Sequence, residues 1–360
     1  MNNKSIAILV SITLVVIVAA IVAVNKRSES VSNDPSNQYL FSDLRQNIND
    51  VAQIDVVSGK DQVSIKLQNN DWQVSEKNNY AADLVKVKDT IFGIANMTKV
   101  EAKTKKAENY AKLGLEDPKQ ETATSKLVIL SNVKGEKLTE VILGNTRPGT
   151  DSQYIRPAND PQVWLAKPAL NIDLLAINWL DKRLLHISKD RIKNLVITQN
   201  DGKKLVITKE SADSGDHSVK DFPKGKTLKG RFEPRTIATV LENFSLEDVR
   251  SKDAIDFKAA PVVKAEYQTF NGLNINALLL EKEGLHYAKF SASSEPVTAD
   301  SVTPDLVKSD PNAAKNESNS LNEKLSPWVY VIPKDKYDLM TKKMTDLIKT
   351  EEKKSAHAPY

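Results

Sequence analysis

Cysteine is absent from the 360 residues. A disulfide, a thiolate nucleophile, a cysteine-ligated metal and a lipid-modified N-terminal cysteine are all excluded by that absence. Histidine occurs only at His186, His217, His286 and His357, with no two at metal-ligand spacing and no His-Glu-x-x-His run, so no metal site is expected. Glycine is sparse, at 12 positions, and Gly225-Lys226-Thr227 lacks the glycine a phosphate-binding loop needs five residues earlier, where Lys220 stands. The Gly-x-Ser-x-Gly elbow of the common hydrolases is missing too. Aromatics make up 6%, and the net charge of +4 comes mostly from lysines scattered beside carboxylates. A nucleic-acid surface would cluster Arg and Lys with aromatic rings, so none is expected. No catalytic residue and no cofactor site can be named, and the expectation is a protein that is not an enzyme.

Residues 6–24 are an almost unbroken run of Ile, Leu, Val and Ala, interrupted only by Ser11 and Thr13. As a helix this run spans about 28 Å, close to the hydrocarbon thickness of a bilayer. It is longer than a signal-peptide core, and Val22-Ala23-Val24 is no small-x-small cleavage site. An uncleaved anchor over 6–24 is expected, with 1–5 in the cytoplasm and the remainder outside, in a bacterium on the periplasmic face of the inner membrane. Ala19 and Ala23 have the spacing that lets two such helices approach closely. Residues 25–47 read as a Ser- and Asn-rich linker, on the order of 25 Å in reach.

The rest has ample length for two domains and shows one order of elements twice. Over 48–180, period-two alternation predicts a hairpin at Val51–Leu67, helical spacing predicts a helix over 81–97, and further hairpins follow around Gly135 and at 153–166. A short helix is expected to open at Pro168. Over 181–350 come a hairpin turned at Asn200-Asp201-Gly202, a helix over 232–244, a hairpin at Asn271-Gly272, a last hairpin from His286–Phe290 to Trp328–Ile332, and a helix opened by Pro333. Both halves end on a Trp strand, then Pro, then Asp-Leu five residues later: Trp164, Pro168, Asp173-Leu174 and Trp328, Pro333, Asp338-Leu339. The second half inserts 291–326, rich in Ser, Asp, Asn and Pro, and composition predicts disorder there and a loose tail at 351–360. The expected fold class is α+β: a transmembrane helix, then two tandem modules of antiparallel sheet with packed helices.

The most distinctive loop runs from Tyr110 to Pro118. Its structural reading has Leu113 and Leu115 capping a core, Gly114 taking an unusual backbone angle and Pro118 ending the segment. Together with Trp72-Gln-Val, Ala82-Asp83, and the Leu143-Gly144 hairpin carrying Tyr154, this segment resembles the domain-of-unknown-function family numbered 4340. The second half departs from the pattern, since Asp256-Phe-Lys-Ala-Ala-Pro261 lacks the Gly-Leu pair. The resemblance implies a membrane-anchored bacterial protein, and through some members a link to the extracytoplasmic auxiliary part of a gliding-motility-type ABC transporter. It implies no catalytic residue. A periplasmic, non-catalytic interaction protein, with an ABC-type transporter as its membrane partner, is therefore expected. The alternatives are an envelope enzyme or glycan-binding module with a groove between the two repeats, and a structural envelope protein with no dedicated partner.

Overall fold

Alternation of buried and half-buried positions along Val51–Ser58 (β1) places Ile54 and Val56 fully inside. The structure, a computed structural model, describes residues 39–258, 261–296 and 312–349. The chain divides into two units between Trp179 and Leu180.

In the first unit, β1 is followed by Asp61–Gln68 (β2), Asp71–Val74 (β3), Tyr80–Ala81 (β4), Thr98–Ala102 (β5), Lys126–Asn132 (β6), Lys137–Thr146 (β7), Gln153–Pro157 (β8) and Trp164–Lys167 (β9). Among the described residues they form one nine-stranded sheet, in the order β4-β3-β2-β1-β6-β7-β8-β9-β5. Every pairing in it is antiparallel. Val63, Val56, Val128 and Val141 stand in one cross-strand row, and Ile65, Ile54 and Leu130 in the next, all at 0% exposure. Each such side chain stabilises the unit by roughly 1.5–3 kcal/mol relative to leaving it in water. The helix Leu84–Ala95 (α2) packs Val87, Ile91 and Ile94 inward. It starts three residues later than its periodicity suggests because Asp83 caps it, accepting from the Val85 and Lys86 amides at 2.9 and 3.4 Å, while Tyr80–Ala81 pairs with β3.

The second unit contains Arg183–Leu185 (β10), Ile192–Thr198 (β11), Lys204–Thr208 (β12), Ser218–Val219 (β13), Phe244–Ser245 (β14), Asp248–Ser251 (β15), Val263–Thr269 (β16), Leu273–Lys282 (β17), Leu285–Ser294 (β18) and Trp328–Val331 (β19). β10 and β14 pair by themselves, and the other eight form a sheet in the order β13-β12-β11-β16-β17-β18-β19-β15. From β2 to β5 and from β12 to β15, seven strands follow one order. The likeness reaches single residues: the β1–β6 register shifts between Val51 and Gln53, and the β11–β16 register shifts at the matching place, between Ile192 and Asn194. An inserted residue at one position of a ladder bends and twists the strand, so both sheets carry the same local deformation.

Several expectations need correction. Disorder is expected over 291–326, but the stretch contains ordered elements. Residues 291–294 complete β18, and Ala313–Leu325 is a helix (α4). β18 pairs with β19 only at Tyr287 and Ala288. Beyond them, the Asn322 side chain donates to the Ala292 carbonyl at 2.7 Å and accepts its amide at 2.8 Å, replacing a missing strand. Arg191 holds the same helix through both oxygens of Glu317, at 2.9 and 2.7 Å. These polar ties, with Ala314, Ser318 and Leu325 buried, anchor a helix whose composition looks unstructured.

Pro168 opens no α-helix. The Ala169 and Leu170 amides are bound by the side chains of Asp151 and Gln153, both at 3.0 Å, and only a 3-10 turn forms, at Ala176–Trp179. The helix expected over 232–244 shortens to Glu233–Ala238 (α3) followed by the 3-10 turn Val240–Asn243. The linker ends earlier than expected: Tyr39 bridges Thr98, and Ser42–Gln46 (α1) buries Leu44. Pro333 does precede a helix, Lys334–Met340 (α5). The expected tail and anchor at 1–5 and 6–24, most of the linker, 297–311 and 351–360 lie outside the described residues. Among the described residues no helix is long and apolar enough to cross a membrane.

Candidate functional site

The Tyr110–Pro118 loop is built from two 3-10 turns, Ala107–Asn109 and Ala111–Leu113, closed by Gly114 at φ +66°. That left-handed angle turns the chain so that the Leu113 and Leu115 amides both donate to the Tyr110 carbonyl, at 3.0 and 2.9 Å. Leu115 thereby enters a cluster with Ile142 and Val163, against which Tyr110, Leu113, Leu127 and Tyr154 pack. Gly144 of β7 lies directly beneath, close enough that a Cβ would fall on the Leu113 carbonyl. The loop is tied at three further points. The Tyr110 hydroxyl donates to the Pro161 carbonyl at 2.7 Å, under the Arg156 guanidinium 4.7 Å from its ring. The Pro118 carbonyl accepts the Gly59 amide at 2.7 Å, at the β1–β2 turn. Glu116 accepts from the Thr124 hydroxyl at 2.8 Å and the Ser125 amide at 3.1 Å at the entrance to β6. Burial alone would raise the Glu116 carboxyl; the hydrogen bonds from Thr124 and Ser125 outweigh it and hold the group below its ordinary range.

Of the residues the sequence singles out, Tyr110, Leu113, Gly114, Leu115 and Tyr154 meet in one place. Pro118 marks the loop's far end. Trp72 stands apart on β3, opposite Leu67, its carbonyl accepting the Ala82 amide at 2.7 Å. In the second unit the corresponding segment sends Ile255 and Phe257 onto Tyr287, Val329 and Val331.

A second constellation escapes sequence reasoning. Lys86 of α2 forms an ion pair with Asp173 and donates to the Asn178 carbonyl at 3.0 Å. The Trp179 indole, 0% exposed, donates to the Asp173 carbonyl at 3.0 Å, and its ring lies 5.0 Å from the Lys86 ammonium. Burial alone would raise the Asp173 carboxyl; the hydrogen bond and charge of Lys86, the Asn178 amide and the charge of Lys126 bring it below the usual value. Beside this lock opens a shallow depression of about 390 Å³, lined by Asp83, Lys86, Asp89, Leu170 and Ile172. Asp83 is engaged as a helix cap and Lys86 in its ion pair. The only sequence trace of this arrangement is the Pro-x4-Asp-Leu ending. No group of three or more metal-ligating side chains occurs among the described residues.

A family model described as a domain of unknown function (DUF4340) matches residues 72–269, more than half of the chain. The match begins at Trp72 in β3 and ends at Thr269, the last residue of β16, so it takes in parts of both units. No curated protein and no solved structure matches the chain.

Proposed function

The chain belongs to the DUF4340 family, and on that premise we propose that it is a membrane-anchored, non-catalytic interaction protein of the bacterial envelope, accessory to an ABC-type transporter. The observation that carries this reading is how the motif residues are used. Tyr110, Leu113, Leu115 and Tyr154 pack into a cluster, Gly114 turns the loop onto Gly144, and Glu116 and Pro118 fasten its ends. Residues engaged in holding a surface in shape suit recognition by a partner better than bond-making chemistry. The apolar run 6–24 supplies the anchor, and tethering beside a membrane raises the local concentration of a membrane partner. Photo-cross-linking in native membranes, from residues on the Tyr110–Pro118 loop, tests the reading. A multispanning protein in the adduct is the expected result. Recovery of the chain alone at every cross-linker length overturns it. Protease digestion of sealed vesicles tests the topology: the part after residue 25 should be cut only from the periplasmic side.

A further inference from the structure

We propose that the second unit holds a binding site for a phosphate-bearing ligand, in the depression bounded by Glu233–Asn243 and Lys334–Met340. The depression is shallow and open, with a volume of about 350 Å³, and is lined by Lys189, Arg235, Thr236, Glu242, Asn243 and Lys336, among others. Its three cations come from three different elements: the 3-10 turn before β11, helix α3 and the first turn of α5. Fold geometry brings them together, not the periodicity of one helix. All three line the depression and are half-buried, so part of each apolar stem is covered.

Three positive groups face one carboxylate. Glu242 reaches Lys189 only at 3.9 Å, and among the described residues neither Arg235 nor Lys336 has an ion-pair partner. Elsewhere in the same unit the half-buried arginines do have one, Arg191 with Glu317 and Arg250 with Asp248, whereas among the described residues half-buried lysines such as Lys193 and Lys289 do not, so Arg235 is the unusual member of the set. An anion seated in the depression would relieve the repulsion among Lys189, Arg235 and Lys336. The planar fork of Arg235 can bind two oxygens at once, and the lysines act as point charges, a combination suited to phosphate.

The first unit provides an internal comparison. Its depression of about 390 Å³ occupies the corresponding place, between α2 and the segment after β9. There the lining charges are Asp83, Asp89 and a Lys86 already paired with Asp173. A hollow at this point thus follows from the fold, whereas the positive lining is peculiar to the second unit. The inference is independent of the transporter reading, since it requires neither an anchor nor a protein partner.

The test is calorimetric titration of the full chain in a phosphate-free, non-ionic detergent at fixed ionic strength. The probes are inorganic phosphate, glycerol 1-phosphate and short-chain phosphatidylglycerol, with chloride as reference. Saturable binding of at least one phosphate probe is expected. The double variant Arg235→Gln/Lys336→Gln should weaken it at least tenfold, and Arg235→Lys should retain part of it. A control pair with equal loss of charge at exposed turns of the first unit, Lys119→Gln/Lys134→Gln, should leave it unchanged. Preference for the glycerophospholipid identifies a lipid headgroup as the source; equal or tighter binding of the soluble phosphates identifies a free ligand. No saturable binding of any phosphate probe overturns the proposal. Equal weakening in the site and control pairs does so too, because it reduces the effect to general counterion attraction.

Discussion

Three glycines of the first unit separate backbone strain from close packing. Gly144 has an ordinary backbone angle, but a Cβ there would lie against the Leu113 carbonyl, 2.8 Å from Leu115 Cγ and 2.9 Å from the Gly114 carbonyl. Comfortable contact needs roughly 3.5 Å, so the loop must lift by on the order of half an ångström or more. Leu115 is 0% exposed in its cluster, and lifting it opens that cluster. Overpacking of this kind costs about 1–3 kcal/mol. Gly135 presents the opposite case: φ is +79° and nothing lies within 4 Å of an added methyl, so Gly135→Ala should cost only the left-handed angle, about 1–2 kcal/mol. Gly114 combines both, at φ +66° with Asn145 Oδ1 2.5 Å from the added carbon, and should be the most damaging of the three. Urea unfolding followed by tryptophan fluorescence reports chiefly on this unit, which holds Trp72, Trp164 and Trp179. Hydrogen exchange then discriminates mechanism: Gly144→Ala should deprotect the Leu115 and Gly59 amides, whereas Gly135→Ala should leave them protected. Because Gly114 and Gly144 touch, the double variant should cost less than the sum of the singles. The reasoning fails if Gly144→Ala leaves both the unfolding midpoint and the exchange of 110–118 unchanged.

Three other outcomes are expected. Tyr267 is 0% exposed with a hydroxyl that finds no partner among the described residues, and Leu130 occupies the equivalent place in the first unit; Tyr267→Phe should therefore stabilise the second unit by roughly 1 kcal/mol in urea unfolding, and a loss of that size would refute the assignment. The His217 imidazole is held below its usual range by burial first and by the charges of Lys209 and Arg235, against the Ile192 hydrogen bond and Asp216, so its unfolded form takes up protons first and stability should fall as pH drops below about 6.5. His217→Gln, which keeps a donor toward Ile192 without titrating, should flatten that pH dependence, and identical slopes would count against it. Asp173→Asn should cost roughly 1–3 kcal/mol at pH 7, since the pair is intermediate in exposure, and the gap from wild type should close as pH falls below the ordinary carboxylate value and through the lowered one.

Strands with one wet and one dry face were legible from alternation: β1 carries Ile54 and Val56, and β11 Leu195 and Ile197, two residues apart on the buried face. Strands at the sheet end were not. Thr98–Ala102 reads Thr-Lys-Val-Glu-Ala, and a short edge strand rich in charge carries no alternation to detect. Helix α4 was invisible for a different reason. Its stability comes from Arg191 and Ala292, more than twenty residues away in sequence, and composition has no access to such partners. The motif loop was legible down to the role of Gly114, because a glycine between two leucines already implies a left-handed turn over a core. Gly144 beneath it was not, since close approach of two backbones is a property of the fold. The Lys86–Asp173 lock and the basic depression share that limitation: each joins residues from elements far apart in the chain.

The matching register shifts at Val51/Gln53 and Ile192/Asn194 bear on where function resides. A one-residue slip would turn every core side chain of β1 or β11 to the opposite face, so the bulge and the buried rows behind it fix each ladder tightly. Sequence change is then free only where it leaves those rows alone: in the hollow beside the long helix and in the turn after the third hairpin strand. The two units differ in both places. The first keeps an acidic hollow closed by a lysine already paired, and connects β8 to β9 in a few residues. The second opens a hollow lined by three cations and adds a helix along β18. Divergence on a scaffold held this firmly is where distinct binding roles for the two units should be sought, the first through its fastened motif loop and the second through its positive hollow.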